Sequence, residues 1–105
     1  MYTRPQIEFL RKEIAKEVIR RDRGVCQVCL EKGLDVHEIL PRSSFGRSRS
    51  DVCFSMENSI LLCRSCHSGA HTRAQRSVLL ALLEKLYGYS YEIEPFIRYV
   101  VAGEE

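Results

Sequence analysis

Hydrophobic positions recur at helical steps near the N-terminus. Ile7, Leu10, Ile14 and Val18 fall every three or four residues, with Arg11, Lys12, Lys16 and Arg20 largely on other faces. Thr3 is a suitable N-cap, Pro5 fits a first helical turn, and Gly24 ends the pattern. Residues 25–33 enclose a Cys-x-x-Cys turn, and 34–40 are short and apolar-rich, which predicts a strand stopped by Pro41. Residues 43–58 read as a polar loop interrupted by Val52, Cys53 and Phe54, and 60–62 as an extended apolar piece entering a second Cys-x-x-Cys. From Cys66 the chain is expected to turn helical. The strongest helical pattern spans 72–87, with Leu79, Leu82, Leu83 and Leu86 on one stripe that Val78 and Leu80 widen. A stripe this broad suits a helix buried on two sides or one that meets a partner, and Gly88 stops it. Residues 89–93 then look extended, and 95–101 read as a short final helix.

Composition narrows the class. The chain has 105 residues, which fits one small domain, and it shows no internal repeat or low-complexity linker. No apolar run approaches the ~20 residues that span a bilayer, and the N-terminus lacks a signal-peptide core, so a cytoplasmic protein without a membrane role is expected. The net charge of +2 is uninformative until it is divided. Residues 1–50 carry 11 Lys and Arg against 7 Asp and Glu, whereas 51–105 carry 5 against 7. The segment 41–50 holds Arg42, Arg47 and Arg49 without an acid, a composition that suits either a phosphate-facing loop or a solvated surface.

Five Cys in so short a chain point to metal rather than disulfides, because the set is odd in number and clustered. Cys26-x-x-Cys29 and Cys63-x-x-Cys66 each turn two sulfurs towards one ion, and together they complete a tetrahedral four-thiolate shell. Four thiolates leave no open position, so this zinc would be structural. The 33 residues between Cys29 and Cys63 exceed a zinc-ribbon interval, which leaves room for a further element between the pairs. Cys53 belongs to neither pair and reads as a small buried apolar residue. All three His lie inside or beside this framework. His67 and His71 are four apart, which on a helix points both imidazoles along one face, and His37 lies in the predicted strand. Three imidazoles leave positions open for water and substrate oxygens, as a catalytic divalent ion requires.

The order Cys26-x-x-Cys29, then Val36-His37-Glu38-Ile39-Leu40-Pro41-Arg42, then Glu57-Asn58-Ser59-Ile60-Leu61-Leu62-Cys63-Arg64-Ser65-Cys66-His67 resembles the zinc-containing branch of the HNH endonucleases. The resemblance covers about residues 24–73. It implies an α+β fold, with a ββα-metal core stapled by a four-Cys zinc and flanked by N-terminal and C-terminal helices. Within a single domain, 1–24 would be the basic N-terminal helix, 25–73 the core and 74–105 a helical extension. The resemblance further implies a metal-dependent phosphodiesterase acting on DNA, expected to be double-stranded, with many relatives in phages and mobile elements. DNA-processing or packaging proteins would then be possible partners, and the chain would act as a monomer or weak dimer.

Residue by residue, His37 matches the first position of the family's strand motif, usually a metal ligand. Asn58 matches the central Asn, which orients the loop and the general base. His67 matches the His of the final Cys-His, and His71 the additional ligand of colicin-type members. The catalytic ion would be Mg²⁺, Mn²⁺, Ni²⁺ or Zn²⁺, held by His37, His67 and His71. Arg42, Arg47 and Arg49 would contact phosphates.

The strand position normally occupied by the base His is Glu38. Three readings follow. Glu38 itself takes the proton from water, with its pKa raised by burial. Alternatively the register shifts, making His37 the base and Asp35 or Glu38 a support for the metal. In the third, the domain keeps the fold and metals but has lost cleavage, leaving a zinc module that binds nucleic acid or protein.

Overall fold

The computed structural model describes residues 2–45 and 49–88. The first helix, α1 (Arg4–Arg21), starts in a capping box: the Gln6 N–H donates to Thr3 Oγ1 (3.3 Å) and the Thr3 N–H to Gln6 Oε1 (2.8 Å). Pro5 stands in the first turn, as expected. Ile7 and Val18 are buried and Leu10 and Ile14 partly so, while Glu8–Arg11, Glu13–Lys16 and Glu17–Arg20 pair along the outer face. The helix ends three residues before Gly24, and Arg23 and Gly24 both adopt left-handed φ in the turn that follows.

Two short strands form the centre. β1 (Asp35–Glu38) pairs antiparallel with β2 (Ser59–Leu62), with Asp35 opposite Leu62, His37 opposite Ile60 and Glu38 opposite Ser59. All of β2 is buried, and Ile60, Leu61 and Leu62 each contribute about 1.5–3 kcal/mol by leaving water. The first Cys turn lies close against this strand. A Cβ on Gly33 would sit 2.5 Å from the Leu61 side chain, so only glycine permits the approach. The observed β1 is shorter than the predicted 34–40 because the Asn58 side chain takes both backbone groups of Leu40 and bends the chain out of the ladder.

The stretch predicted as a polar loop over 43–58 is instead folded into short helical turns at Arg42–Ser44, at α2 (Ser50–Cys53) and at Met56–Asn58. Phe45, Val52, Cys53 and Phe54 are buried there and extend the core, an apolar content diluted in sequence by surrounding Ser and Arg. Helix α3 (Arg64–Ser68) begins at Arg64 rather than Cys66, because Cys63 is its N-cap and its sulfur accepts the Cys66 N–H. Gly69 closes α3 after five residues. His67 and His71 therefore do not share a helix: His71 stands in the turn before α4 (Arg73–Tyr87).

Thr72 caps α4, and Gly88, at φ 74°, ends it as the sequence predicts. Its buried stripe is Leu79, Leu80 and Leu83, whereas Val78 and Leu86 are exposed and Leu82 is partly buried. The core-facing side is thus rotated from the predicted one. The predicted extended piece at 89–93 and final helix at 95–101 lie outside the described residues.

A buried polar knot ties α1, β2 and α4 together. Arg21 donates to both carboxylate oxygens of Asp22 (2.8 and 3.1 Å) and to the carbonyls of Met56 (2.8 Å) and Ser59 (2.6 Å). Asp22 also accepts from the Leu61 N–H and the Tyr87 hydroxyl, each at 2.9 Å, and the Arg21 guanidinium lies over the Tyr87 ring. The fold is α+β: a two-stranded antiparallel hairpin with helices and a four-Cys cluster.

Candidate active site and metal centres

Backbone geometry aims the four sulfurs. In the first turn the Leu30 N–H donates to the Cys26 carbonyl and the Cys26 N–H to the Glu31 carbonyl, with Leu30 at a left-handed φ of 68°. In the second, Cys63 caps α3. The sulfurs of Cys26, Cys29, Cys63 and Cys66 all lie within 4.8 Å of one another, and Cys29 and Cys63 are 3.6 Å apart. A tetrahedron with Zn–S bonds of ~2.3 Å has edges of ~3.8 Å, the scale of this cluster, so the four Cys are consistent with a structural zinc. Burial raises the Cys26 thiol, but the backbone around Cys29, Cys63 and Val28 outweighs it and brings the group down to about 6. The hydrogen bond with Cys63, burial and the adjoining thiols push Cys66 up to about 12. Metal binding draws the protons off such thiols, so a shared cation would hold all four as thiolates. Cys53 is apart from the cluster and buried, and burial followed by the Glu38 charge pushes its thiol up to about 12.

The three His converge although two come from a turn and a helix and the third from a strand. Ring centroids are 4.9 Å apart for His37 and His67, 5.0 Å for His37 and His71, and 5.3 Å for His67 and His71. One ring nitrogen from each lies within 4.8 Å of the others. His37 Nε2 is buried without a hydrogen-bond partner, an arrangement that costs about 1–3 kcal/mol unless something occupies its lone pair. Burial, then the charges of His67, His71 and Arg76, push His37 down to about 4, so it stays neutral and able to ligate. The chemistry of this donor set fits a divalent ion with open positions.

His67 is oriented from behind. Its Nδ1 stands 3.0 Å from the Asp35 carboxylate, which leaves Nε2 for a metal, and Arg64 reaches Asp35 from solvent at 3.3 Å. The His67 hydrogen bond holds the Asp35 carboxyl below its ordinary value, and Arg64 adds to this. Asp35 and His37 share one face of β1, so a period of two in the strand was the signal for this pairing.

Glu38, the next residue along β1, lines a cleft of about 520 Å³ together with His37, His67, His71, Arg42, Ser59 and residues of α1. Burial raises its carboxyl above the ordinary value, against the pull of Arg11, His67 and Arg42. Arg42 stands over the Phe54 ring at the cleft, whereas Arg49 is exposed and reaches Asp51 at 3.5 Å. Arg47 lies outside the described residues. Arg11 and Lys12 form the opposing wall. Each Glu of α1 is already engaged by a base three residues on, and among the described residues Lys12 makes no ion pair.

Asn58 is fully buried. Its Oδ1 accepts the Leu40 N–H (2.8 Å), and its Nδ2 donates to the carbonyls of Leu40 (3.1 Å) and Cys53 (2.9 Å). These bonds tie the end of β1 to α2 and set the exit of the strand that carries His37 and Glu38.

Residues 26–73 match the family model of the HNH endonuclease, and this segment of the chain is an HNH domain. Membership of that family implies a nuclease-type function with DNA as substrate. No curated protein and no solved structure matches the chain. Among the described residues, no helix is long and apolar enough to cross a membrane.

Proposed function

We propose that the chain is a metal-dependent endonuclease that hydrolyses phosphodiester bonds of double-stranded DNA with little sequence preference. The observation that carries this reading is the buried, unpartnered Nε2 of His37 converging with His67 and His71 at the cleft that holds Glu38. His37, His67 and His71 would hold the divalent ion, and Cys26, Cys29, Cys63 and Cys66 the structural zinc. A divalent ion supplies Lewis-acid polarisation of the scissile phosphate and stabilises charge on the leaving 3′ oxygen.

The chain's own residues do the rest. Glu38 accepts a proton from water as the water oxygen bonds to phosphorus and the P–O3′ bond breaks. Its raised pKa brings it closer to the working pH, where a base is most effective. Asn58 sets the strand exit beside it. Arg42, with Arg11 and Lys12 across the cleft, contacts phosphates, which gives affinity but little base reading. The position of His37 Nε2 within the imidazole cluster favours His37 as a ligand and Glu38 as the base over the shifted register.

A plasmid-cleavage assay with Mg²⁺, Mn²⁺, Ni²⁺ or Zn²⁺ tests this. Wild type is expected to cut with at least one ion, and His67→Ala and Glu38→Ala to lose at least ~100-fold. Absence of cutting by wild type with every ion would leave a zinc module that binds without cleaving.

A further inference from the structure

The hairpin places an unsatisfied donor opposite an unsatisfied acceptor. Ser59 is 1% exposed, and its Oγ is buried without a hydrogen-bond partner. Across the ladder stands Glu38, whose carboxylate makes neither a hydrogen bond nor an ion pair among the described residues. The Ile39 N–H donates to the Asn58 carbonyl (2.8 Å), so 39 and 58 are the hydrogen-bonded pair. The neighbouring pair 38 and 59 is then of the non-bonded kind, in which opposite side chains stand closest and on one face. Both residues line the same cleft. A buried hydroxyl left without a partner is uncommon in folded proteins and calls for a physical account.

We propose that Ser59 is a positioning residue for Glu38: in the working enzyme its hydroxyl donates to the Glu38 carboxylate and holds that carboxylate in the orientation that receives the proton from water. The inference rests on Glu38 acting as the base. The donation leaves the second carboxylate oxygen for water. An imidazole is oriented through its second nitrogen, whereas a carboxylate on a flexible stem needs a separate donor, and position 59 supplies one. Ser59 touches no substrate atom in this arrangement and acts only through Glu38.

The test compares wild type, Ser59→Ala, Ser59→Thr, Glu38→Gln and the double variant Glu38→Gln/Ser59→Ala in steady-state cleavage of a defined duplex. Thermal unfolding and Ni²⁺ affinity are measured alongside. Loss of one hydrogen bond to a charged group predicts that Ser59→Ala lowers kcat about tenfold to hundredfold. KM, Ni²⁺ affinity and Tm are expected to stay unchanged, because the hydroxyl satisfies nothing in the fold. Ser59→Thr keeps the hydroxyl and is expected to retain most of the rate. In the Glu38→Gln background, Ser59→Ala is expected to change nothing further. Full activity in Ser59→Ala beside an inactive Glu38→Gln would overturn the role of Ser59 and leave Glu38 as the base. Equal losses from Ser59→Ala in both backgrounds would do the same. Full activity in Glu38→Gln would overturn the base assignment and this inference with it.

Discussion

Asp35→Ala isolates the contribution of a residue that touches neither metal nor substrate. In the wild-type site the Asp35 carboxylate accepts from His67 Nδ1 at 3.0 Å, fixing the tautomer that presents Nε2 to the other two imidazoles. Without it, His67 populates both tautomers and turns more freely about its side-chain torsions. Removing such an outer partner costs about 10–100-fold in metal affinity. The Asp35 and His67 side chains are 23% and 30% exposed, so water replaces part of the interaction, and we expect the lower end, about tenfold. Arg64 supplies an internal control. Its side chain is 78% exposed and its charge is screened, so Arg64→Ala should change affinity by less than about threefold. The assay is calorimetric titration of Ni²⁺ into protein whose four-Cys site is already filled with Zn²⁺, with cleavage rates at saturating metal alongside. Unchanged Ni²⁺ affinity in Asp35→Ala would refute the reasoning. So would an equal loss in Arg64→Ala, which would make the effect one of surface charge.

Four further outcomes are expected. Lys12→Ala should weaken duplex binding and reduce the slope of log affinity against log salt by about 1, with kcat unchanged; an unaltered slope would remove α1 from the interface. Asp22→Ala leaves the nearly buried Arg21 guanidinium without its carboxylate and should cost about 3–5 kcal/mol in denaturant unfolding of zinc-loaded protein, whereas a loss under about 1 kcal/mol would contradict it. Chelation of the structural zinc, or Cys29→Ser, should abolish cooperative unfolding, because the two Cys turns would lose their common ligand. His37 lies at about 4 in the fold against 6.5 when free, so only the unfolded chain gains its proton between those values. Protein lacking the catalytic ion should therefore lose up to about 3 kcal/mol of stability from this group as pH falls from 6.5 to 4, a dependence that His37→Gln should remove.

Local chemistry carried much of the fold into the sequence. Thr3 and Gln6 form the capping box, Gly88 terminates α4, and the two Cys-x-x-Cys spacings bring four sulfurs together, because each is decided within a few residues. The stretch 43–58 was not legible as structure. Its Phe45, Val52 and Phe54 lack a helical period, and their burial comes from joining a core cluster whose other members lie in distant segments, Ile60, Leu62, Leu79 and Leu83 among them.

Residue types and spacing determined by themselves that this chain carries two Cys-x-x-Cys pairs and three His around them, and the family resemblance added that a carboxylate, Glu38, stands where that family has its base. Tertiary structure alone decided how these groups face one another. It placed His71 off the helix that carries His67 yet beside it, set Asp35 behind His67, faced Ser59 with Glu38, and made α1 the second wall of the cleft. Such relations join side chains from separate segments, and their direction follows from strand register, helix ends and packing rather than from the order of residues in any one segment.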